Sequence, residues 1–129
     1  MHSKYLAERA AWKFLEDLPE AERFELVTVN PCLILGPANQ TDAFTSGAIF
    51  ASILEGKKDP LPKSSIPIVD VRDVATMHLK AIVVPEAAGK RFIAWKGHYW
   101  QRELAEILHG EFASKGWPIV TNEAEGTGE

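Results

Sequence analysis

SKYLAERAAWKFLEDLPEAERFELVTVN, residues 3–30, decides the fold class of this 129-residue chain, because it joins a helix pattern to a strand pattern. Apolar residues recur at helical spacing at Leu6, Ala10, Phe14 and Leu18. They predict an amphipathic helix over 3–18, which Pro19 ends. The charged residues of this stretch, Glu8 among them, are predicted to lie largely on the other faces of the helix. The apolar and β-branched run 24–29 then predicts a strand that Asn30 and Pro31 end.

The alternation of helices and strands continues along the chain. Further strands are predicted over 66–71 and 91–95, and further helices over 42–54, 73–83 and 100–114. Pro67 places its strand near a sheet edge, Asp73 is the predicted N-cap of its helix, and Gly116 is the predicted C-terminal cap. This order indicates an α/β fold with a mainly parallel sheet over residues 1–120. Residues 121–129 are polar, Gly-rich and acidic and predict a disordered tail.

Composition excludes several classes of protein. The chain has 18 acidic and 14 basic residues, a net charge of -4 and 46% hydrophobic residues, which is ordinary for one modest globular core. The acidic balance argues against a nucleic-acid partner. The sequence has no apolar run long enough for a membrane span, and MHSKYLAERA does not resemble a signal peptide. With Cys32 as its single cysteine, we expect a cytoplasmic protein without a disulfide framework.

Ready-made catalytic motifs are missing from the 129 residues. The glycines form neither a dinucleotide fingerprint nor a phosphate-binding loop, and no serine stands in a nucleophile elbow. The four histidines and Cys32 show no metal-ligand spacing, so no metal site is predicted. Residue types and spacing alone therefore predict a binding scaffold.

Four segments carry a resemblance to a known family. They are SKYLAERAAWKF at 3–14, NPCLILGP at 30–37, VDVRDVATMH at 69–78 and GKRFIA at 89–94. In this order they resemble the C-terminal portion of extended short-chain dehydrogenases/reductases, within the NAD-dependent epimerase/dehydratase superfamily, with the dihydroflavonol reductase-like branch as the closest match. The resemblance implies the C-terminal part of a doubly wound Rossmann-type parallel sheet plus the small substrate-side domain. The N-terminal half of such a protein is missing from these residues.

The first of these segments concerns catalysis. In the family a Tyr lies four residues before a Lys, one helical turn away, so that both face the same cleft. Lys4 matches this catalytic and cofactor-binding Lys, and the position of the Tyr falls one residue before Met1. The resemblance implies that NADP (or NAD) exchanges hydride with a small-molecule carbonyl, that the Tyr is the general acid, and that the Lys lowers its pKa. We therefore expect these 129 residues alone to be inactive, with Lys4 as a frayed surface cation.

The remaining candidate residues concern the cofactor. Four residues match the segment that the family places against the nicotinamide ring, namely Pro31, Cys32, Leu33 and Ile34. The alternative is a strand that simply ends at a turn, with the Cys32 thiol as inert packing. Ser46, fifteen residues after Pro31, matches a position where this branch often has a cofactor-contacting serine, and its alternative is a hydroxyl on a helix surface.

Three functions stay open at this point. The first is part of an NADP-dependent reductase acting on a ketone or aldehyde, dihydroflavonol-like. The second is part of a sugar-nucleotide epimerase/dehydratase or of a 3β-hydroxysteroid dehydrogenase relative. The third is a non-catalytic binding module. Loops 38–45 and 56–65 are expected to set specificity, and an unpaired edge at strand 24–29 is expected to favour self-association.

Overall fold

The computed structural model describes residues 2–37 and 45–125, over which helices and strands alternate as expected for an α/β protein. The α-helices are α1 (His2–Asp17), α2 (Thr45–Leu54), α3 (Val71–Val83) and α4 (Gln101–Phe112). The strands are β1 (Thr28–Pro31), β2 (Leu33–Leu35), β3 (Ser65–Asp70), β4 (Arg91–Ala94) and β5 (Gly97–Trp100). The predicted start of the second helix near residue 42 lies outside the described residues.

The strands form two small sheets. The chain passes directly from the first sheet into the second, because β2 follows β1 after a single residue. β1 pairs in parallel with β4, and β3 lies between β2, to which it is parallel, and β5, to which it is antiparallel. Residues of β1 alternate between the two faces of its sheet. The face that carries Thr28 and Asn30 meets α1, whereas the face that carries Val29 meets α3. Helices therefore cover both faces of the β1–β4 pair, as in a doubly wound fold.

The first strand lies later in the sequence than predicted. The expected boundaries were 24–29, but the ladder with β4 begins at Thr28 and includes Pro31. The N–H groups of Thr28 and Cys32 donate to the carbonyl oxygens of Lys90 and Ala94. In a parallel ladder alternate residues face the partner, so Pro31 faces away from β4 and its missing N–H removes no hydrogen bond. Asn30 and Pro31 are therefore the last paired residues of the strand, and the prediction that they lie beyond its end was wrong.

The edge position predicted for Pro67 was also wrong, since β3 is the central strand of its sheet. The N–H of Gln101 donates to the carbonyl of Ser64, which sets the alternation of the antiparallel ladder. Pro67 therefore faces His98 as a non-hydrogen-bonded pair. The pairing with β2 begins one residue later, at Ile68. Neither β2 nor β5 therefore requires a hydrogen bond from the backbone nitrogen of Pro67.

Strand β5 was missed by the sequence analysis, which assigned Trp100 to the last helix. Trp100, the last residue of this edge strand, is about half exposed, and Trp95, which lies between β4 and β5, is more than half exposed. The helix begins one residue later, at Gln101, and the backbone N–H of Trp100 donates to Glu103 over 2.8 Å.

The cap of α3 is Asp70 and not Asp73. The Asp70 carboxylate accepts a hydrogen bond from the backbone N–H of Arg72 over 2.8 Å and two more from its guanidinium. These hydrogen bonds lower the pKa of Asp70 to about 2. Asp73 lies in the first turn of the helix, where its charge still complements the helix dipole. Asp70 and Asp73 therefore both stabilise the start of α3.

Two separate cores hold the chain together. The sheet core packs α3 on β1, β2, β3 and β4, with Val69, Val74 and Ala94 buried. The helical core joins α2 and α4 through Ile53, Leu61, Ala105 and Ile119. The expected tail contributes to the second of these, since Leu61 exchanges backbone hydrogen bonds with Asn122 and Ala124. Residues 122–124 are thus held against the fold, and 126–129 lie outside the described residues.

Candidate functional site

Glu8 fixes the first helix to the sheet. Its Oε1 atom accepts hydrogen bonds from Arg91 Nε at 2.7 Å, Thr28 Oγ1 at 3.1 Å and Asn30 Nδ2 at 3.3 Å. The side chain is only 17% exposed, so the prediction that it lies on an outward face was wrong. The hydrogen bond from Arg91 lowers the pKa of Glu8 below the ordinary value of a glutamate, and the carboxylate is ionised at neutral pH.

A second anchor sets the direction of α1. The guanidinium of Arg23 donates to the carbonyl oxygens of Glu16 and Leu18, at 2.8 and 3.0 Å. Leu26 already accepts a hydrogen bond from Gly89, so the segment from Arg23 runs into β1 from its amino end. The end of α1 therefore lies at the amino end of β1, and the helix runs antiparallel to the strand. Moving from Glu8 towards the start of the helix consequently means moving towards the carboxyl end of β1.

This direction places Lys4 at the end of the sheet where α/β proteins bind ligands. Lys4 lies four residues before Glu8, on nearly the same side of the helix and about 6 Å further along its axis. Cys32 lies two residues beyond Asn30, also about 6–7 Å further along the strand. Lys4 is therefore level with Cys32, near the carboxyl end of β1, the edge at which open α/β sheets hold cofactors.

The segment predicted to face the nicotinamide spans the change from one sheet to the other. Pro31 ends β1 and is exposed, whereas Cys32, Leu33 and Ile34 are half-buried. The Cys32 N–H is used by β4, and Leu33 and Ile34 pair with Ile68 and Val69 of β3. The alternative, a strand that ends at a turn, does not describe this segment, because the chain continues directly into β2.

The remaining predicted residues are less closely grouped. Lys4 is exposed in the first turn of α1, and among the described side chains it has no ion-pair partner. Ser46 is half-buried in the first turn of α2. The helix direction and the strand register thus bring Lys4 to the level of 31–34. Ser46 belongs to α2, a helix that contacts β2 and so the residues Leu33 and Ile34. In the described part of the chain no three His, Cys, Asp or Glu side chains are grouped to hold a metal ion.

The residues that sequence reasoning missed are the four of the Glu8 network: Glu8, Thr28, Asn30 and Arg91. A signal was present in the strand, where the polar residues Thr28 and Asn30 alternate with apolar ones and so mark a face that needs a polar partner. Glu8 follows Lys4 by one helical turn and was the available carboxylate.

Comparison with known proteins gives relatives of one kind. The chain is 40% identical over 124 residues to a ketoreductase of Aspergillus niger, covering 88% of this chain and 36% of that protein. It is 34% identical over 116 residues to the NADPH-dependent methylglyoxal reductase of Saccharomyces cerevisiae, covering 85% and 34%. The crystal structure of a yeast methylglyoxal/isovaleraldehyde reductase complexed with NADPH superposes with a TM-score of 0.82 at 32% identity, covering 95% and 37%.

The matches cover most of this chain but only part of each relative. The chain spans about a third of the length of the relatives it matches. No family model matches the chain. The helices of the described residues are too short or too polar for any of them to cross a membrane.

Proposed function

Because the chain is homologous to the C-terminal portion of extended short-chain dehydrogenases/reductases of the dihydroflavonol reductase-like type, we propose that it supplies about a third of an NADPH-dependent carbonyl reductase. The observation that carries the proposal is the Glu8 network, because it fixes α1 against β1 and β4 one helical turn from Lys4, the residue that matches the catalytic Lys of the family. The relatives named above are reductases, and a segment of each aligns with nearly all of this chain.

Lys4 has the chemistry that the nicotinamide end of such a cofactor requires. Lys4 is exposed, so its ammonium can donate hydrogen bonds to ribose hydroxyls, and Pro31 at the end of β1 is exposed as well. When bound, NADPH supplies the hydride that adds to the carbonyl carbon. The proton for the carbonyl oxygen comes from the Tyr that the family motif places four residues before Lys4. The positive charge of Lys4 lowers the pKa of that Tyr.

The 129 residues taken alone lack two parts of such a site. The position of the Tyr falls outside them, and no glycine-rich turn for a dinucleotide pyrophosphate occurs in the sequence. We propose that these residues by themselves do not reduce a carbonyl. The protein of which they form a third acts on a small ketone or aldehyde in the cytoplasm, with Pro31, Cys32, Leu33, Ile34 and Ser46 beside the cofactor.

The exposed apolar side chains of α1 support a further part of this proposal. Leu6 and Phe14 are both more than half exposed, and Phe24 lies in the segment that precedes β1. Exposed apolar surface of this kind marks a contact site. We propose that the rest of the reductase covers it, and that the isolated 129 residues self-associate there and along the open edge of β1. Sedimentation at increasing concentration tests this, and a monomer at all concentrations would contradict it.

Carbonyl reduction is preferred to sugar-nucleotide chemistry because the relatives are named for ketone and aldehyde substrates. The test is a hybrid reductase in which this chain replaces the corresponding third of the Saccharomyces cerevisiae methylglyoxal reductase. We expect the hybrid to oxidise NADPH with methylglyoxal or an aromatic ketone and to leave UDP-glucose and UDP-galactose unchanged. The 129 residues alone are expected to give no turnover. A folded hybrid that lacks NADPH-dependent reduction, or that converts the sugar nucleotides, would contradict the proposal.

A further inference from the structure

The Glu8 network is unusual in joining three parts of the chain at one atom. Oε1 of Glu8 is the acceptor for a hydroxyl and an amide of β1 and for the guanidinium of β4, from residues 20 to 83 positions away. The side chain is 17% exposed, and Arg91 is 51% exposed. The ion pair between Lys13 and Asp17, which lies wholly within α1, is local and far more exposed.

Hydrophobic packing holds this helix only in part. No residue of α1 is fully buried, and Leu6 and Phe14 face solvent for more than half of their surface. Trp12 and Leu15, on the side of the helix that carries Glu8, are half-buried. The polar anchors of α1 are Glu8 and, at the far end, the carbonyl groups bound by Arg23. Of these, Glu8 is the anchor on the side of Lys4.

We propose that Glu8 is a positioning residue for the proposed reductase site, holding α1 at the depth and rotation that bring Lys4 to the carboxyl end of β1. This inference rests on the proposed function for its catalytic consequence. Lys4 is one turn beyond Glu8, so a rotation of the helix about its axis moves the Lys4 side chain away from the strand end.

The expected consequence is catalytic more than structural. Glutamine keeps a side-chain oxygen that can accept hydrogen bonds from Thr28 and Asn30, so loss of the charge is expected to loosen α1 locally without unfolding the chain. A misplacement of about 1 Å at a catalytic group can nevertheless cost about 100-fold in rate. Loss of the Glu8 carboxylate should therefore alter cofactor binding and proton transfer while the fold persists.

The first test compares Glu8→Gln with Asp17→Asn, a matched control that removes an ion pair from the exposed face of the same helix. In the hybrid reductase, Glu8→Gln is expected to raise the KM for NADPH about tenfold. It is also expected to move the alkaline limb of the kcat profile to higher pH, because a displaced Lys4 lowers the Tyr pKa less. Asp17→Asn should change neither. A lower melting temperature with an unchanged KM and pH profile would reduce Glu8 to a structural role and overturn the proposal.

A double-mutant cycle tests whether Glu8 acts through Lys4. If it does, Glu8→Gln adds less than twofold to the loss already produced by Lys4→Met, whereas independent effects would multiply. Multiplying losses would overturn the proposal.

Hydrogen exchange in the 129-residue chain supplies a readout without activity. Glu8→Gln should speed exchange of the α1 amides at least tenfold relative to both the parent chain and Asp17→Asn. Equal exchange in the three proteins would overturn the proposal even if the hybrid is inactive. An inactive hybrid with the expected exchange pattern would count against the proposed function and in favour of the anchoring role of Glu8.

Discussion

Lys4→Met in the hybrid reductase is expected to lower kcat/KM for NADPH-dependent carbonyl reduction by at least about 100-fold. Methionine keeps the length and helix propensity of lysine and removes the ammonium. The loss then reports the two roles proposed for that charge, binding the ribose hydroxyls and lowering the pKa of the neighbouring Tyr. Steady-state kinetics with varied NADPH and varied pH measure both.

The matched control for this variant is Lys13→Met. Lys13 lies on the same helix, where its ammonium pairs with Asp17 at 2.8 Å and is largely exposed. Its replacement should leave kcat/KM within about twofold, because exposed pairs of this kind contribute little. Equal losses for the two variants, or activity retained by Lys4→Met, would remove Lys4 from the site.

Gly56→Ala is expected to destabilise the chain by about 3 kcal/mol, adding left-handed backbone strain to steric overlap. Gly56 has φ +64°, and a Cβ there would overlap the carbonyl oxygen of Pro118, a backbone atom that cannot move aside. The glycine thus permits the close approach of the loop after α2 to the segment that carries Ile119 of the helical core.

Gly89→Ala separates the cost of backbone strain from the cost of steric overlap. Gly89 has φ +71°, but a Cβ at this position would meet no atom within 4 Å. Its replacement should cost about 1 kcal/mol, from backbone strain alone. Urea unfolding of the two variants provides the comparison, and equal losses would show that the approach of Pro118 to Gly56 carries no cost.

Elements with strong local signals were predicted well. The helix over 3–18 is α1, and the strand over 91–95 is β4. Their patterns lie within a few successive residues, so that periodicity and Pro19 suffice to locate them. Gly116, predicted as a C-terminal cap, has φ +87° and ends the turn after α4. The resemblance to extended short-chain dehydrogenases/reductases was confirmed by the relatives.

Strand boundaries depended on partners that are distant in sequence. β1 begins at Thr28 because Arg91 lies opposite it, and β5 exists because Ser65–Asp70 offers it an edge. A strand tolerates a proline where no ladder hydrogen bond needs a donor at its backbone nitrogen, as Pro31 and Pro67 show. Only the register decides this, and local residue pattern does not contain the register.

In the candidate site too, some residues could be predicted from the sequence and others could not. Lys4 was found because a motif names it, and its distance from the strand end follows from regular helix and strand geometry. Glu8 was placed on the outer face because a charged residue on an amphipathic helix is usually solvated. Its actual direction depends on Thr28, Asn30 and Arg91, which come together only in the folded chain.

Hydrogen exchange of the hybrid reductase with and without NADPH tests most directly whether α1 and the β1–β2 junction border the cofactor. We predict slower exchange on NADPH addition in the first turns of α1 and at residues 32–35, with no change in α4. Protection confined to α4, or none within residues 2–37, would contradict the account.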